Sequence, residues 1–316
     1  MKLPNFFIVG AAKAGTTSLY KYLNQHPHVY FSPIKEPNYY CSDIDVSNFT
    51  RDYRDRLISD IDAYFKQPSL PEMHLAHITK WEHYCNLFKG VDNQTAIGEA
   101  SVSYLYSISA ARNIKESIPD AKIIIILRNP IERAYSHYLM DFRNGMTLLP
   151  FRKALDNDIM QKQKGWGRSY LYVELGMYYE QVKRYIDLFD KEHLRIYLYE
   201  DMNNSSTFFK DVYNYLAIND EFVPDISQRH NTARIPVSAI LNYLMKGTML
   251  RNAKRILPQS IVEFIKGVLV SDRKADVMSP SDKLFLLSLY YDDVIKLSQL
   301  IGRDLSNWLE NNPNIR

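Results

Sequence analysis

The sequence predicts an α/β fold in three layers, with a central parallel sheet flanked by helices. Two observations carry that expectation. Short, wholly apolar runs of strand length recur along the chain, and stretches of helical period separate them. The 316 residues are 46% hydrophobic, enough to bury a sizeable core. No repeat, low-complexity tract or linker divides the chain, so one domain over residues 1–316 is expected.

The elements follow in order. Phe6 to Val9 is the first strand, and "TTSLYKYLNQHP" after it is a helix with Leu19, Tyr22 and Leu23 on its apolar face, stopped by Pro27. Further buried strands are Ala96 to Ile97, Lys122 to Leu127 in "KIIIIL", and Leu194 to Leu198 in "LRIYL". "IERAYSHYLMDFRNG" is a helix that ends at Gly145. Near the C-terminus Ser279 caps a packing helix, Pro280 takes its first position, Leu284, Leu287, Tyr291, Val294 and Leu297 form its apolar face, and Gly302 stops it. Residues 232–278 read as a helical lid or acceptor-side segment. Its basic residues Lys246, Arg251, Lys254 and Arg255 make a solvated face, with peripheral membrane contact as the alternative.

Composition narrows the function classes. A net charge of +3 without a concentrated basic stripe argues against a nucleic-acid partner. Cys41 and Cys85 form no CxxC pair and suit a reducing compartment. No run approaches the roughly 18 apolar residues of a spanning helix, and the N-terminus enters a strand at once, so a cytoplasmic, soluble protein is expected. Oligomeric state is not assigned by these features.

Two strand–loop–helix junctions carry the chemistry. In "VGAAKAGTTSL", Gly10 and Gly15 let the backbone turn tightly, and the N–H groups opening the next helix favour an anion. Lys13 adds a positive charge, and Thr16, Thr17 and Ser18 add hydroxyl donors. The glycines match the GxxxxGK[ST] spacing of a nucleoside-triphosphatase loop, but Thr16 stands where its lysine belongs, which argues against ATP or GTP hydrolysis. The loop makes the fold P-loop-like. In "IIIILRNPIERAYSHYL", the apolar strand delivers Arg128 to the sheet's carboxyl edge, where its guanidinium can fork onto a phosphate with Ser136 as a second donor. A structural ion pair is the alternative for an arginine at a strand end. Together the junctions suggest one ligand with two anionic groups.

At these residues the sequence resembles the sulfotransferases that use 3′-phosphoadenosine 5′-phosphosulfate (PAPS), in particular bacterial members related to the carbohydrate, heparan-type enzymes. "AAKAGTTSL" resembles the 5′-phosphosulfate loop and "ILRNPIERAYSHY" the 3′-phosphate motif. "GEASVSYLY", "LYEDM" and "LIGRDLSNWL" are further similar segments. The resemblance implies that Lys13 contacts the bridging oxygen and 5′-phosphate, that backbone N–H groups of Ala14, Gly15, Thr16, Thr17 and Ser18 hold the phosphosulfate, and that Arg128 and Ser136 grip the 3′-phosphate. It implies PAPS as donor, 3′,5′-adenosine bisphosphate (PAP) as product, and no metal. Glu36 in "SPIKEPNYY" matches the general base of the heparan-type enzymes, with Lys35 beside it and His26, His28 and His137 as rivals. Arg234 in "RHNTARIP" is a looser carry-over to the donor.

The implied reaction is sulfuryl transfer to a hydroxyl, with an amine as second choice, on a carbohydrate, glycolipid or other small acceptor. Ala100 stands where many heparan-type members have a lysine, which argues against a sulfated glycosaminoglycan. Trp166, Arg168 and Tyr170 are candidates to meet a sugar or aromatic ring, or else to pack. An ATP-using small-molecule kinase and a non-catalytic nucleotide-binding module are the competing readings.

Overall fold

The computed structural model describes residues 2–58, 60–227, 234–236, 270–274 and 278–310. Its strands are β1 (Phe6–Gly10), β2 (Val29–Phe31), β3 (Ile34–Glu36), β4 (Met73–Leu75), β5 (Ala96–Ala100), β6 (Lys122–Leu127), β7 (Leu194–Leu198), β8 (Arg234–Pro236) and β9 (Val270–Lys274). Five of them form one parallel sheet in the order β2-β5-β1-β6-β7. Consecutive residues of β1, β5 and β6 are buried almost throughout, so both sheet faces are covered, as a parallel sheet between helices requires. The chain winds outward from β1 to β2 on one side and later to β6 and β7 on the other. That reversal leaves a crevice at the carboxyl end of β1, the place where such sheets hold ligands.

Local rules account for the elements beside the crevice. The helix Thr16–Leu23 follows the loop after β1 and buries Leu19, Tyr22 and Leu23. The helix Pro130–Arg143 begins with Pro130 at its first position, where the missing N–H is harmless, and Asn129 accepts the N–H of Ile131. Gly145, with φ +65°, lies just past its end. β3 and β4 pair in parallel as a separate two-stranded sheet against β5.

The helix Pro280–Ile301 has the expected limits, with Ser279 Oγ accepting the Asp282 N–H at 3.1 Å and Gly302 at φ +64°. Its face differs from the expected one. Leu286, Tyr290, Val294 and Leu297 are buried, while Leu284 is 48% and Tyr291 52% exposed. The Tyr290 hydroxyl, 3.1 Å from the carbonyl oxygens of both Tyr172 and Val173, sets that rotation.

Within 232–278, the described pieces are Met278 and the antiparallel strands β8 and β9; the remainder of the expected lid, with its basic residues, lies outside the described residues. Among the described residues no helix is long and apolar enough to cross a membrane.

Candidate active site

The loop after β1 is shaped by positive backbone angles. Gly15 caps the following helix at φ +91°, and a Cβ there would lie 2.5 Å from Met202 Cε and 3.1 Å from the Tyr199 ring, so glycine alone fits. Lys13 also has positive φ, at +68°. The N–H groups of Ala14 and Ser18 close turns onto Ala11 O at 3.2 Å and Gly15 O at 3.0 Å. Those of Gly15, Thr16 and Thr17 open the helix without an intrahelical acceptor, the arrangement that attracts an anion.

Lys13 is the electrostatic centre of this loop. Its Nζ lies 3.5 Å from the Met140 thioether sulfur, a weak acceptor. Burial pushes its pKa down to about 8, and Arg143, Arg128 and Arg133 push the same way while Asp141 opposes them. The lowered pKa is the direction that an arriving anion would reverse.

Arg128 leaves the end of β6 towards the same loop. Its Nη1 is 3.5 Å from the Lys13 carbonyl, its guanidinium lies 4.8 Å from the Tyr199 ring centroid, and the Tyr178 hydroxyl donates to its carbonyl at 3.0 Å. Glu132, one helical turn on, holds its Nε and Nη2 at 3.2 and 3.0 Å. Thus both readings of this arginine meet here, since it forms an ion pair and also stands over the loop. Ser136 is half-buried one turn beyond Glu132 on the same helix. Arg234 is in β8, whose backbone runs beside this helix; its side chain lies outside the described residues.

Under Lys13 lies a buried polar cluster of which the sequence reading named His137 but neither Asp141 nor Tyr172. Burial pushes the Asp141 carboxyl up to about 7, the Tyr172 hydroxyl donates to it at 3.0 Å, and His137 Nε2 stands 3.6 Å away. Burial and the charges of Arg133 and Lys13 hold His137 well below the usual histidine range. The His137–Asp141 spacing of one helical turn is the signal that was available.

Glu36 ends β3 and is buried with 7% exposure. Lys35 Nζ donates to its Oε1 at 2.9 Å, and His74 Nε2 from β4 lies 3.8 Å from the same oxygen. Both of these contacts fall on Oε1 and neither engages Oε2.

A sulfotransferase family model matches residues 4–221. The chain belongs to the sulfotransferase family. A crystal structure of a sulfotransferase from Alicyclobacillus acidocaldarius is 30% identical, has a TM-score of 0.68, and is covered over 98% of this chain and 100% of that one. Carbohydrate sulfotransferase 15 of Rattus norvegicus is 30% identical over 162 residues, covering 43% of this chain and 27% of the relative. The Homo sapiens protein of that name is 23% identical over 97% of this chain and 54% of its own length. This sulfotransferase thus spans about a quarter to a half of the curated relatives it matches.

The fold separates two of the three rival histidines, His26 and His28, from the crevice, whereas His137 lies close enough to Lys13 to feel its charge. His26 and His28 precede β2, at the amino edge of a parallel sheet whose carboxyl edge carries Lys13 and Arg128. His26 is buried there, its Nε2 2.9 Å from Asn219 O and its Nδ1 accepting the His28 N–H at 3.0 Å. The expected acceptor loop packs inward. Trp166 donates to the Tyr53 hydroxyl at 2.7 Å, Arg168 reaches Asn48 at 3.4 Å, and Tyr170 donates to Met146 O at 2.6 Å. Trp166 and Arg168 thus pack on residues 48–53, and Tyr53 in turn lies close enough to Glu36 to feel its charge.

Proposed function

We propose that the protein moves a sulfuryl group from PAPS to a hydroxyl, in preference to an amine, of a carbohydrate or glycolipid acceptor, and releases PAP. One observation carries this reading: two strand ends present cations to one crevice, Lys13 after β1 and Arg128 after β6, with Arg128 within 3.5 Å of the Lys13 carbonyl. Two cations delivered from separate strand ends suit a ligand that carries two anionic groups. The donor supplies an activated sulfuryl group on a phosphate leaving group.

The chain's own residues have separable tasks. Lys13 and the N–H groups of Gly15, Thr16 and Thr17 neutralise charge on the leaving phosphate, a preorganised arrangement. Arg128 turns from Glu132 to a 3′-phosphate, with Ser136 as a second donor and Arg234 as a further candidate. Glu36 takes the acceptor's proton through Oε2 while Lys35 holds the carboxylate by its Oε1. The carbohydrate class rests on the names of the relatives. The two buried, unpaired cysteines suit action in a reducing cytoplasm.

The test is calorimetric titration with PAP, and separately with ATP and Mg²⁺, on wild type and Arg128→Ala. Binding of PAP that falls by about 10–100-fold in the variant, as loss of a charged hydrogen-bonding partner implies, supports the reading. Preference for ATP with Mg²⁺ refutes it in favour of a kinase.

A further inference from the structure

The segment "GEASVSY" holds no group that the reaction above uses, yet its side chains are fully buried beside the candidate base. Glu99 and Ser101 have 0% exposure and Ser103 likewise. Glu99, at the end of β5, receives the Tyr84 hydroxyl at 2.6 Å and the Ser101 hydroxyl at 2.7 Å. Ser101 Oγ then accepts the backbone N–H of Asn38 at 3.2 Å. Ser103 donates to Asn38 Oδ1. This buried chain therefore ends on one residue, two positions after Glu36.

Asn38 occupies the left-handed region at φ +55° and is 2% exposed. Its Nδ2 donates both hydrogens, to the carbonyl of Glu36 at 2.8 Å and to that of Ala76 at 2.7 Å. Ala76 N–H also donates to Glu36 O at 3.0 Å, so the amide ties together the ends of β3 and β4 where their ladder stops. Both donors and the acceptor of the amide are engaged. An asparagine tolerates this backbone angle, but the angle alone asks only for glycine or asparagine. The three side-chain bonds are what make asparagine specific.

We infer that Asn38 is a positioning residue for Glu36: it fixes the backbone from which the base projects, and Glu99, Ser101 and Ser103 hold Asn38 in turn. The inference rests on Glu36 being the base. A base displaced by about 1 Å can lose about 100-fold in rate, so a fixed peptide beside it has a kinetic consequence. His74 and Lys35 both approach Oε1, and their contacts depend on the same β3–β4 register that Asn38 closes.

The experiment uses Asn38→Gly, which keeps the positive φ and removes only the amide, in wild-type and Glu36→Gln backgrounds. Turnover is read as PAP release from PAPS, with methyl glycosides of common hexoses as probe acceptors and with water as acceptor where these are not turned over. PAP affinity and amide hydrogen exchange are measured alongside. The expected result is a 10–100-fold fall in kcat, unchanged PAP affinity, no further loss in Glu36→Gln, and faster exchange confined to residues 34–40 and 73–78. Unchanged kcat, or an equal fall in the Glu36→Gln background, overturns the inference, and so does unchanged exchange in those strands. If Glu36→Gln alone stays fully active, the assignment of the base fails instead, and the exchange data still report on the clamp.

Discussion

Replacing Lys13 by methionine should make the protein more stable and less able to bind its donor. The lysine pKa falls from 10.5 to about 8 in the folded chain, chiefly through burial. At about 1.36 kcal/mol per unit, that is at most about 3 kcal/mol held against folding while Lys13 is charged. Lys13 keeps some solvent contact, so about 1–2 kcal/mol is the expected gain. The sign follows from proton counts: between about 8 and 10.5 the unfolded chain binds more protons than the folded one, so stability rises with pH across that window. Below about 8 the full penalty is present. Methionine preserves length and meets Met140 Sδ, 3.5 Å from the amine in the wild type, as an apolar neighbour. Thermal unfolding at pH 7 should rise by about 2–4 °C, while the wild-type advantage on raising pH from 8 to 10 disappears. PAP affinity should fall about 10–100-fold. In the wild type an arriving anion raises the lysine pKa, so binding takes up protons and affinity falls as pH rises through about 8; titration in buffers of different ionisation enthalpy reads this directly. A Lys13→Met protein that is less stable, or that binds PAP as tightly as wild type, would refute the argument.

Three further outcomes follow from the same coordinates. Glu132→Gln releases Arg128 from its ion pair, and PAP affinity measured calorimetrically at low salt should rise several-fold; an unchanged or weaker affinity would mean that Glu132 orients the arginine for the ligand. Gly15→Ala combines φ +91° with a Cβ 2.5 Å from Met202 Cε and should lower stability by about 1–3 kcal/mol in urea unfolding, against no change if the loop can relax. Leu286→Ala, at a site with 0% exposure, should cost about 2–5 kcal/mol, whereas Leu284→Ala, 48% exposed, should stay within about 0.5–1 kcal/mol; equal effects would contradict the observed helix face.

The strands and the two anion junctions were legible because their signals are local. "KIIIIL" has no other use than a strand buried on both faces, and the glycines of the first loop stand where φ +159° and φ +91° occur. The long C-terminal helix was legible in extent and not in rotation. Leu284, Phe285, Leu286 and Leu287 are consecutive, so apolar period alone offers several faces, and the carbonyls of Tyr172 and Val173 choose among them. β3 and β4 have three residues each, and β3 holds a charged pair, so neither has a readable pattern. His74 reaches Glu36 through a strand 38 positions along the chain, a placement with no sequence signal. Glu132 is different, since its i,i+4 spacing to Arg128 was visible.

The proposed donor grip and the proposed base lie on different strands. Lys13 and Arg128 extend from β1 and β6, neighbours in the main sheet, whereas Glu36 belongs to the small β3–β4 sheet, which has no ladder to β1. β5 joins them: it pairs directly with β1, and its Glu99, through Ser101 just past its end, holds the backbone N–H of Asn38. On that proposal, the division would let acceptor chemistry vary by changes in β3 and β4 without disturbing Lys13 and Arg128. It also makes β5 the element through which a displacement at one half reaches the other. Ala100, buried at that end of β5, brings no charge into the junction, so the charged partner of Glu36 among the described residues is its neighbour Lys35 and not a residue of β5.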